Sequence, residues 1–285
     1  MNINKFIIGA AQIGQTYGIN QSSNLNTYKA GIEFIDEAIK LDCTLFDTAP
    51  AYGLSEKIIG QRTNIKKIKV YTKIPQLIKT DIKEINSYFN SSLNNLNIDN
   101  IEGLFLHNPE NRNIYNFDIF IKNLLKLKKI NQFGLSVYEE KDIVKNDYIN
   151  LLQIPGNIFN QSILNSKKTL DFIKNGGKVF VRSIFAQGLI LMNSNNIPKH
   201  LSSLKTPIKK IQELSKKFEI LPEELAIAVV KELCPNMTPI IGCDNIQQLK
   251  HLKLIYKKNI DSHIVNQAID LGRKFHNNLW DPRFW

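Results

Sequence analysis

Residues 45–60 read L-F-D-T-A-P-A-Y-G-L-S-E-K-I-I-G, and this stretch decides how the rest of the chain is interpreted. The run at residues 44–46 is long enough for one buried strand, and Asp47 follows it directly. Tyr52 lies in the turn beyond this strand. A serine and a glutamate then begin an amphipathic segment, the serine as helix cap and the glutamate as an acid of the first turn. The pattern predicts a carboxylate at the carboxyl end of a strand with a phenol beside it, although such a tyrosine can also be an ordinary turn residue.

The same alternation of a short apolar run and an amphipathic helical stretch repeats along the whole chain. The predicted strands are residues 6–14, 44–48, 70–74, 101–107, 132–137, 151–154, 178–184 and 239–243. The predicted helices are residues 28–41, 55–61, 80–96, 117–130, a segment beginning at 139, 161–174, 208–218, 222–233, 246–256 and 262–275. Because no hairpin signal joins two strands, we expect parallel pairing through helical crossovers. Eight such units predict an α/β fold, the closed (β/α)8 TIM barrel.

A doubly wound open sheet is the alternative architecture. It favours a glycine-rich phosphate-binding fingerprint after the first strand, and residues 9–18, G-A-A-Q-I-G-Q-T-Y-G, match that pattern poorly. The 285 residues, 43% of them hydrophobic and 22% charged, are enough for one large core, and we find no linker. We therefore expect a single domain over residues 1–285, with an aromatic tail at about residues 276–285 after the last helix.

The chain is basic, with 37 lysines and arginines against 26 acids and a formal net charge of +11. Such a surplus can indicate nucleic-acid binding. The lysine pairs, however, stand on helix faces or ends without interleaved aromatic residues, so we interpret them as solvated surface and expect no nucleic-acid partner. The surplus could still attract an anionic cofactor or a phosphorylated substrate.

Cysteine use and hydropathy indicate the compartment. Cys43, Cys234 and Cys243 are an odd number without paired spacing, which argues against a disulfide framework or a zinc site and favours a reducing cytoplasm. No apolar run approaches the length of a membrane span, and residues 6–11 are too short for the core of a signal peptide. We expect a cytoplasmic protein with neither a metal nor a membrane partner.

Four polar side chains should converge at the mouth of the predicted barrel, since all follow successive strands: Asp47 and Tyr52, then Lys73, then His107. An ammonium close to a phenol lowers its pKa from about 10, and a carboxylate keeps that ammonium charged. An imidazole on the facing strand can hydrogen-bond a substrate oxygen. The set suits proton donation to an oxygen that gains negative charge, as in carbonyl reduction, rather than metal-dependent hydrolysis. Taken singly, each residue also has a structural explanation: a surface lysine, a hydrogen-bonded core histidine, a turn-capping aspartate.

The motifs that carry these residues resemble those of the aldo-keto reductase family, in order and in spacing. They are D-T-A-P-A-Y-G-L-S-E at 47–56, Y-T-K-I-P at 71–75 and F-L-H-N-P at 105–109. The resemblance covers nearly all of the chain. It implies a (β/α)8 barrel that transfers a hydride from a nicotinamide cofactor, NADP(H) without a Rossmann domain, to an aldehyde or ketone. It further implies that Asp47, Tyr52, Lys73 and His107 form the catalytic tetrad, with Tyr52 as general acid.

The resemblance also suggests residues that bind the cofactor. Ser136 and Gln153 are similar to the pair that hydrogen-bonds the nicotinamide amide, although Val137 replaces the usual asparagine. Arg182 stands where many members carry an aromatic residue, and its guanidinium could stack on the nicotinamide, hold an anionic substrate or be structural. The loop after the seventh strand resembles the pyrophosphate-binding loop and contributes Ser183, Phe185, Gln187 and Gly188.

The segment after the eighth strand departs furthest from the family pattern. Its candidate residues for the adenosine end are Gly242, Asp244, Asn245 and Gln248, with Asn245 as helix cap. Members that bind the 2′-phosphate tightly have lysine or arginine nearby, whereas the nearest cation here is Lys250. A carboxylate at 244 is unfavourable for a phosphate but could hydrogen-bond a ribose hydroxyl. We expect NADP, with NAD or dual use open.

Substrate and role remain open at several points. Residues 153–161 and 181–190 are similar to bacterial members associated with surface-polysaccharide and sugar-nucleotide pathways, which would make the substrate a keto-sugar, anionic or nucleotide-linked. The tail at residues 279–285 could cover the mouth or dock on the barrel wall or a partner subunit. A redox sensor that binds the cofactor with little turnover, and an isomerase or aldolase with Lys73 as Schiff base, are the competing functions. The oligomeric state is undetermined.

Overall fold

The structure, a computed structural model, describes residues 6–19, 24–61, 67–79 and 81–285. Eight parallel strands pair in chain order and close between the last strand and the first. The strands are β1 (Ile7–Gly9), β2 (Leu45–Asp47), β3 (Lys69–Ile74), β4 (Gly103–Leu106), β5 (Phe133–Ser136), β6 (Ile149–Pro155), β7 (Lys178–Arg182) and β8 (Thr238–Gly242). The predicted TIM barrel is confirmed, and the open sheet is excluded.

Helices surround the strands and hold the outer face of the barrel. They are α1 (Ala11–Gly14), α2 (Tyr28–Lys40), α3 (Ser55–Gly60), α4 (Ile82–Leu96), α5 (Phe117–Lys126), α6 (Lys167–Lys174), α7 (Lys205–Lys217), α8 (Pro222–Leu233), α9 (Ile246–Ile255) and α10 (Ser262–Lys274). The sequence predicts Thr80 or Asp81 as the cap of α4, and the side chain of Asp81 accepts the Glu84 amide at 2.7 Å. The other candidate, Thr80, lies outside the described residues. No helix of the described residues is long and apolar enough to cross a membrane.

Three predicted elements differ most from the structure. The first strand ends at Gly9, and residues 11–14 form the short helix α1 instead of continuing the strand. The helix predicted from residue 139 is only a 3-10 turn, Glu140–Asp142, because the segment places little besides Ile143 against the core. The helix predicted from residue 161 begins at 167, since Ser166 caps it there. Eight strands are therefore present, but the crossover from β5 to β6 has no α-helix among the described residues.

The interior of the barrel is closed beneath its mouth by a layer of inward-facing apolar side chains. Tyr71 and Phe105 each pack against the ring of Phe180, at centroid distances of 4.9 and 5.9 Å. The layer consists of Ile7, Tyr71, Phe105, Leu151, Phe180 and Ile240. A second and larger core lies between the strands and the helices. Polar side chains at the strand ends therefore rest on a packed floor and face the open end of the barrel.

Candidate active site

A buried ion pair joins the carboxyl ends of β2 and β3. Lys73 Nζ donates to Asp47 Oδ2 at 2.7 Å and to the carbonyl oxygen of Thr48 at 2.9 Å. The side chains of Lys73 and Asp47 are 0% and 4% exposed. Burial lowers the pKa of Lys73, while the Asp47 carboxylate and its hydrogen bond favour the charged form. The amine is thus held in one place by two acceptors, away from solvent.

The turn after β2 places Tyr52 against this pair. The Lys73 ammonium lies 4.9 Å from the centroid of the Tyr52 ring. The turn packs directly on α1, where the Leu54 amide donates to the Gly14 carbonyl at 3.0 Å. A Cβ on Gly14 would lie 1.8 Å from the Tyr52 carbonyl oxygen, so only glycine permits this approach. Gly53 has φ +60°, a conformation that glycine adopts at little cost.

The acidity of Tyr52 shifts in the direction opposite to the one expected from the sequence. Burial, and after it the Asp47 carboxylate, raises the pKa of Tyr52, and the positive charge that opposes this shift is that of Arg182. The lysine was expected to lower this pKa. Instead, the Asp47 carboxylate largely offsets the charge of Lys73, so the cost of desolvating a phenolate decides the direction of the pKa shift. Tyr52 therefore keeps its proton at neutral pH.

His107 follows β4, which lies on the other side of β3 from β2, and its side chain lines the same cavity. Its backbone amide donates to the Ile74 carbonyl at 2.9 Å, which continues the strand pairing past the last residue of β4. Burial, with the positive charges of Lys73 and Arg182, lowers the pKa of His107 to about 4. The imidazole is therefore neutral at physiological pH and can present one N–H as a donor.

A cavity of about 460 Å³ opens at this end of the barrel. It is lined by three of the four predicted tetrad residues and by most of the residues predicted to bind a cofactor. The predicted residues that line it are Asp47, Tyr52, His107, Arg182, Ser183, Phe185, Gln187, Gly188, Gly242, Asp244 and Gln248. Lys73, Ser136, Gln153 and Asn245 are not among the lining residues. The cavity runs from the tetrad to the helices that follow β7 and β8.

Ser136 and Gln153 lie beneath the cavity. Both are fully buried, and Gln153 Nε2 donates to Asp47 Oδ1 at 2.8 Å. Ser136 Oγ lies 3.5 Å from Gln153 Oε1. The amide of Gln153 therefore holds the carboxylate oxygen that Lys73 does not bind, a contact that the sequence does not reveal. The predicted contact of Ser136 and Gln153 with a nicotinamide stays a prediction.

The loop after β7 forms one wall of the cavity in an unusual backbone conformation. Ser183, Ala186, Gln187 and Gly188 have φ of 64°, 46°, 54° and 93°. Three of the four are not glycine, which marks a strained loop. Residues in this left-handed region turn successive amides toward a common side, and such concave arrangements bind anions. The amide of Ile19 donates to the Gln187 carbonyl at 3.3 Å, so the loop after β1 meets this loop across the cavity.

Arg182 ends β7 and contributes the cavity's positive charge. Its guanidinium carbon lies 4.2 Å from the centroid of the Tyr138 ring. The atom Nη2 is buried and has no hydrogen-bond partner among the described residues. Its charge lowers the pKa of both His107 and Lys73. Arg182 therefore faces the tetrad and carries a buried donor that is free to bind an additional group.

The C-terminal tail docks on the barrel and also reaches the cavity. Trp280 is buried and stacks on Phe159 in the loop after β6, with ring centroids 4.0 Å apart and planes 12° from parallel. Arg283 is held by Asp281 through contacts of 2.6 and 2.8 Å. Its guanidinium carbon lies 3.6 Å from the centroid of Tyr138. The tail therefore docks on the barrel wall through Trp280, and Arg283 brings it to a residue of the cavity lining.

Several cavity residues were not predicted. Tyr17 lines the cavity, and burial is the main cause that raises its pKa to about 12. The guanidinium groups of Arg182 and Arg283 both stack on the ring of Tyr138. Tyr138 stands two residues after Ser136, so its place at a strand end could have been found from the sequence. Glu223 and His251 line the far end from two different helices. A side-chain contact of 3.1 Å between α8 and α9 joins them, and no sequence signal marks it.

Fold and site together define the class of the protein: a single-barrel oxidoreductase with a buried acid–lysine pair, a tyrosine and an imidazole at the barrel mouth. The sequence model of the aldo/keto reductase family matches residues 5–270, and the chain belongs to that family. It is accordingly an NAD(P)-dependent oxidoreductase, of a family that reduces small carbonyl compounds. No curated protein matches the chain.

Solved structures share the fold at low sequence identity. The glycerol dehydrogenase from Gluconobacter oxydans superimposes with a TM-score of 0.74 at 18% identity, covering 96% of this chain and 97% of that one. An aldo-keto reductase from Bacillus halodurans, in its holo form, gives 0.73 at 17% identity, covering 96% and 92%. These likenesses extend over the whole barrel and concern its architecture.

Proposed function

We propose that the protein reduces a substrate carbonyl to an alcohol, with Tyr52 as the proton donor. The observation that carries the proposal is the contact set of Asp47, Lys73 and Tyr52 at one end of a cavity that His107 also lines. A nicotinamide cofactor bound in this cavity supplies the hydride. The chain's own residues position the carbonyl and deliver the proton.

The raised pKa of Tyr52 is compatible with this role. Hydride addition turns the carbonyl oxygen into an alkoxide, whose basicity is comparable to that of hydroxide. A phenol remains the stronger acid by a wide margin even when burial raises its pKa. The proton therefore moves from Tyr52 to the substrate oxygen as charge develops there, and a protonated resting state is useful.

Lys73 stabilises the tyrosinate that this transfer leaves behind. The ammonium lies 4.9 Å from the ring centroid and is itself shielded from water, and the Asp47 carboxylate offsets part of its charge. Asp47 orients the ammonium, and Gln153 orients Asp47. A Schiff base on Lys73 is disfavoured, because its amine is engaged by two acceptors and does not line the cavity.

His107 is proposed to bind the carbonyl oxygen and to orient it toward Tyr52. Its lowered pKa keeps it neutral, so it donates a hydrogen bond without competing as a general acid. A neutral donor next to Lys73 and Arg182 also avoids a third adjacent positive charge. The proton on the substrate oxygen therefore comes from Tyr52.

The remaining cavity is proposed to hold the cofactor. Arg182, Ser183, Phe185, Gln187 and Gly188 would contact its nicotinamide and diphosphate part, and the left-handed backbone of that loop suits an anion. Gly242, Asp244, Asn245 and Gln248 would contact the adenosine part. Ser136 and Gln153 are proposed to meet the nicotinamide amide. The family pattern favours NADP, while Asp244 keeps NAD or dual use open.

The substrate is proposed to be a carbonyl compound with an anionic group, such as a keto-sugar that is phosphorylated or nucleotide-linked. The buried Nη2 of Arg182, which no described residue binds, supports this choice. Charge-assisted hydrogen bonds from a guanidinium to a carboxylate or phosphate are among the strong ones. The cysteine pattern supports a cytoplasmic location as part of the same proposal.

Tyr52→Phe tests the proposal directly. We expect kcat to fall by about 10²–10⁴, because the general acid is removed. Binding of the reduced nucleotide, followed by quenching of protein fluorescence, should be unchanged. A rate equal to that of the wild type would remove Tyr52 from the mechanism. Tight nucleotide binding by the wild type without reduction of any carbonyl in a broad panel would favour the redox-sensor function.

A further inference from the structure

The end of the cavity farther from Tyr52 is lined by acids. Asp244 follows β8, and Glu223 lies in the first turn of α8. Both acids lie on elements that follow β7 and β8, whereas Tyr52 follows β2 and His107 follows β4. In the described part of the cavity lining, the one lysine or arginine is Arg182, and it stacks on Tyr138 near the tetrad.

The carboxylate of Glu223 is fixed in its orientation. His251 Nε2, on α9, lies 3.1 Å from Glu223 Oε1, and the two side chains are 43% and 22% exposed. This contact bridges α8 and α9 across the outer end of the cavity. The Asp244 amide donates to Gln248 Oε1 at 2.8 Å, which turns the Gln248 side chain back onto the loop. The carboxylate of Glu223 therefore borders the cavity in a fixed orientation, and Asp244 borders it from the loop after β8.

The direction of a bound dinucleotide follows from the proposed function, on which this inference rests. The nicotinamide must lie near Tyr52, because the reacting carbonyl receives its proton there. The loop with left-handed backbone at residues 183–188 borders the middle of the cavity and suits a diphosphate. The adenosine and its ribose then extend toward Asp244 and Glu223.

We propose that these acids make the protein prefer NADH to NADPH. A ribose 2′-phosphate carries close to two negative charges at neutral pH. Placed beside two carboxylates, with no lysine or arginine at that end of the described cavity lining, it is repelled, and like-charge contacts in a binding site are costly. A free 2′-hydroxyl instead donates hydrogen bonds to a carboxylate, as in other NAD sites. The acids therefore select for the unphosphorylated cofactor in two ways.

Direct binding titrations with NADH and NADPH test this preference without any turnover. For the wild type we expect Kd for NADPH to exceed Kd for NADH by about tenfold or more, and the ratio to shrink as salt is added, because the acids are partly exposed. In the isosteric double variant Glu223→Gln with Asp244→Asn, the ratio should approach one, chiefly through tighter binding of NADPH.

Asp270→Asn is the matched control. Asp270 lies on α10 with its side chain 76% exposed, paired with Arg273, and its charge should leave the ratio unchanged. Tighter binding of NADPH by the wild type, or a ratio that the double variant does not alter, would overturn the preference. Carbonyl reduction with either nucleotide would still uphold the proposed function in that case. Binding of neither nucleotide would overturn both.

Discussion

The two ends of the cavity hold charges in very different ways. At the inner end, Lys73 and Asp47 are 0% and 4% exposed and lie on neighbouring strands of the barrel. At the outer end, His251 and Glu223 are 43% and 22% exposed and lie on helices. Buried charges interact strongly and must be paired, whereas partly exposed ones are screened. The inner end is thus suited to chemistry, and the outer end to discrimination between ligands.

The largest effect should come from disturbing the inner pair. Lys73→Met removes the ammonium from a site without water to replace it and leaves Asp47 buried without its cation. We expect kcat/KM to fall on the order of 10³-fold, and the free energy of unfolding to fall by about 3–5 kcal/mol. Steady-state kinetics and urea denaturation measure the two. Lys210→Met, which breaks an exposed pair with Glu213, should change neither.

A paired substitution separates the two consequences. Asp47→Leu combined with Lys73→Met replaces the buried ion pair by apolar side chains and should recover much of the lost stability. Activity should stay low in the double variant. A double variant that is both stable and fast would show that the inner charges are not needed for catalysis.

The next effect should come from the contact that places the tyrosine. Gly14→Ala puts a Cβ 1.8 Å from the Tyr52 carbonyl oxygen and 2.3 Å from the Ser55 amide, so the turn must move. We expect kcat to fall by about 10²-fold, since a displacement of about 1 Å at a reacting group has that effect. Gly272→Ala is equally crowded, 1.8 Å from the Ile158 carbonyl, and should lower stability without lowering kcat. Equal loss of kcat in both variants would contradict the positioning role.

A smaller effect should come from Arg182, which is partly buried and stacks on Tyr138. Arg182→Gln should raise KM for 4-carboxybenzaldehyde by about 10–100-fold, the factor expected when a charge-assisted hydrogen bond is lost. KM for benzaldehyde, which has no carboxylate, should stay nearly unchanged. Arg273→Gln, on the surface of α10, serves as control. An equal rise for both aldehydes would indicate that Arg182 shapes the site without binding the anion.

The smallest effect concerns the protonation of His107. Its pKa of about 4 in the folded protein lies below the value of about 6.5 expected in the unfolded chain, so the unfolded state binds the proton more readily between these values. The free energy of unfolding should therefore fall by about 1–3 kcal/mol as the pH is lowered through this window. His107→Gln should reduce that dependence. An NMR titration that shows His107 protonating near pH 6.5 would refute it.

The sequence by itself determined the barrel and the meeting of Asp47, Tyr52, Lys73 and His107 at its mouth. The repeated strand and helix pattern predicted eight parallel strands, and the positions of Asp47, Lys73 and His107 at strand ends predicted their convergence. Both inferences succeed because they depend on local periodicity and on one geometric rule, that the carboxyl ends of parallel strands meet at one face. The crossover after β5 was predicted incorrectly, since acids alone suggested a helix where the segment has little to bury.

Only the tertiary structure decided the electrostatics and the composition of the cavity. The direction of the Tyr52 pKa shift depends on how much water burial removes, which no spacing reveals. The contact of Gln153 with Asp47 joins residues 106 positions apart, and Arg283 reaches Tyr138 from the tail. Such contacts depend on how helices and loops pack after the barrel has closed. Local sequence determines where a side chain leaves its strand, but the whole fold determines what surrounds it.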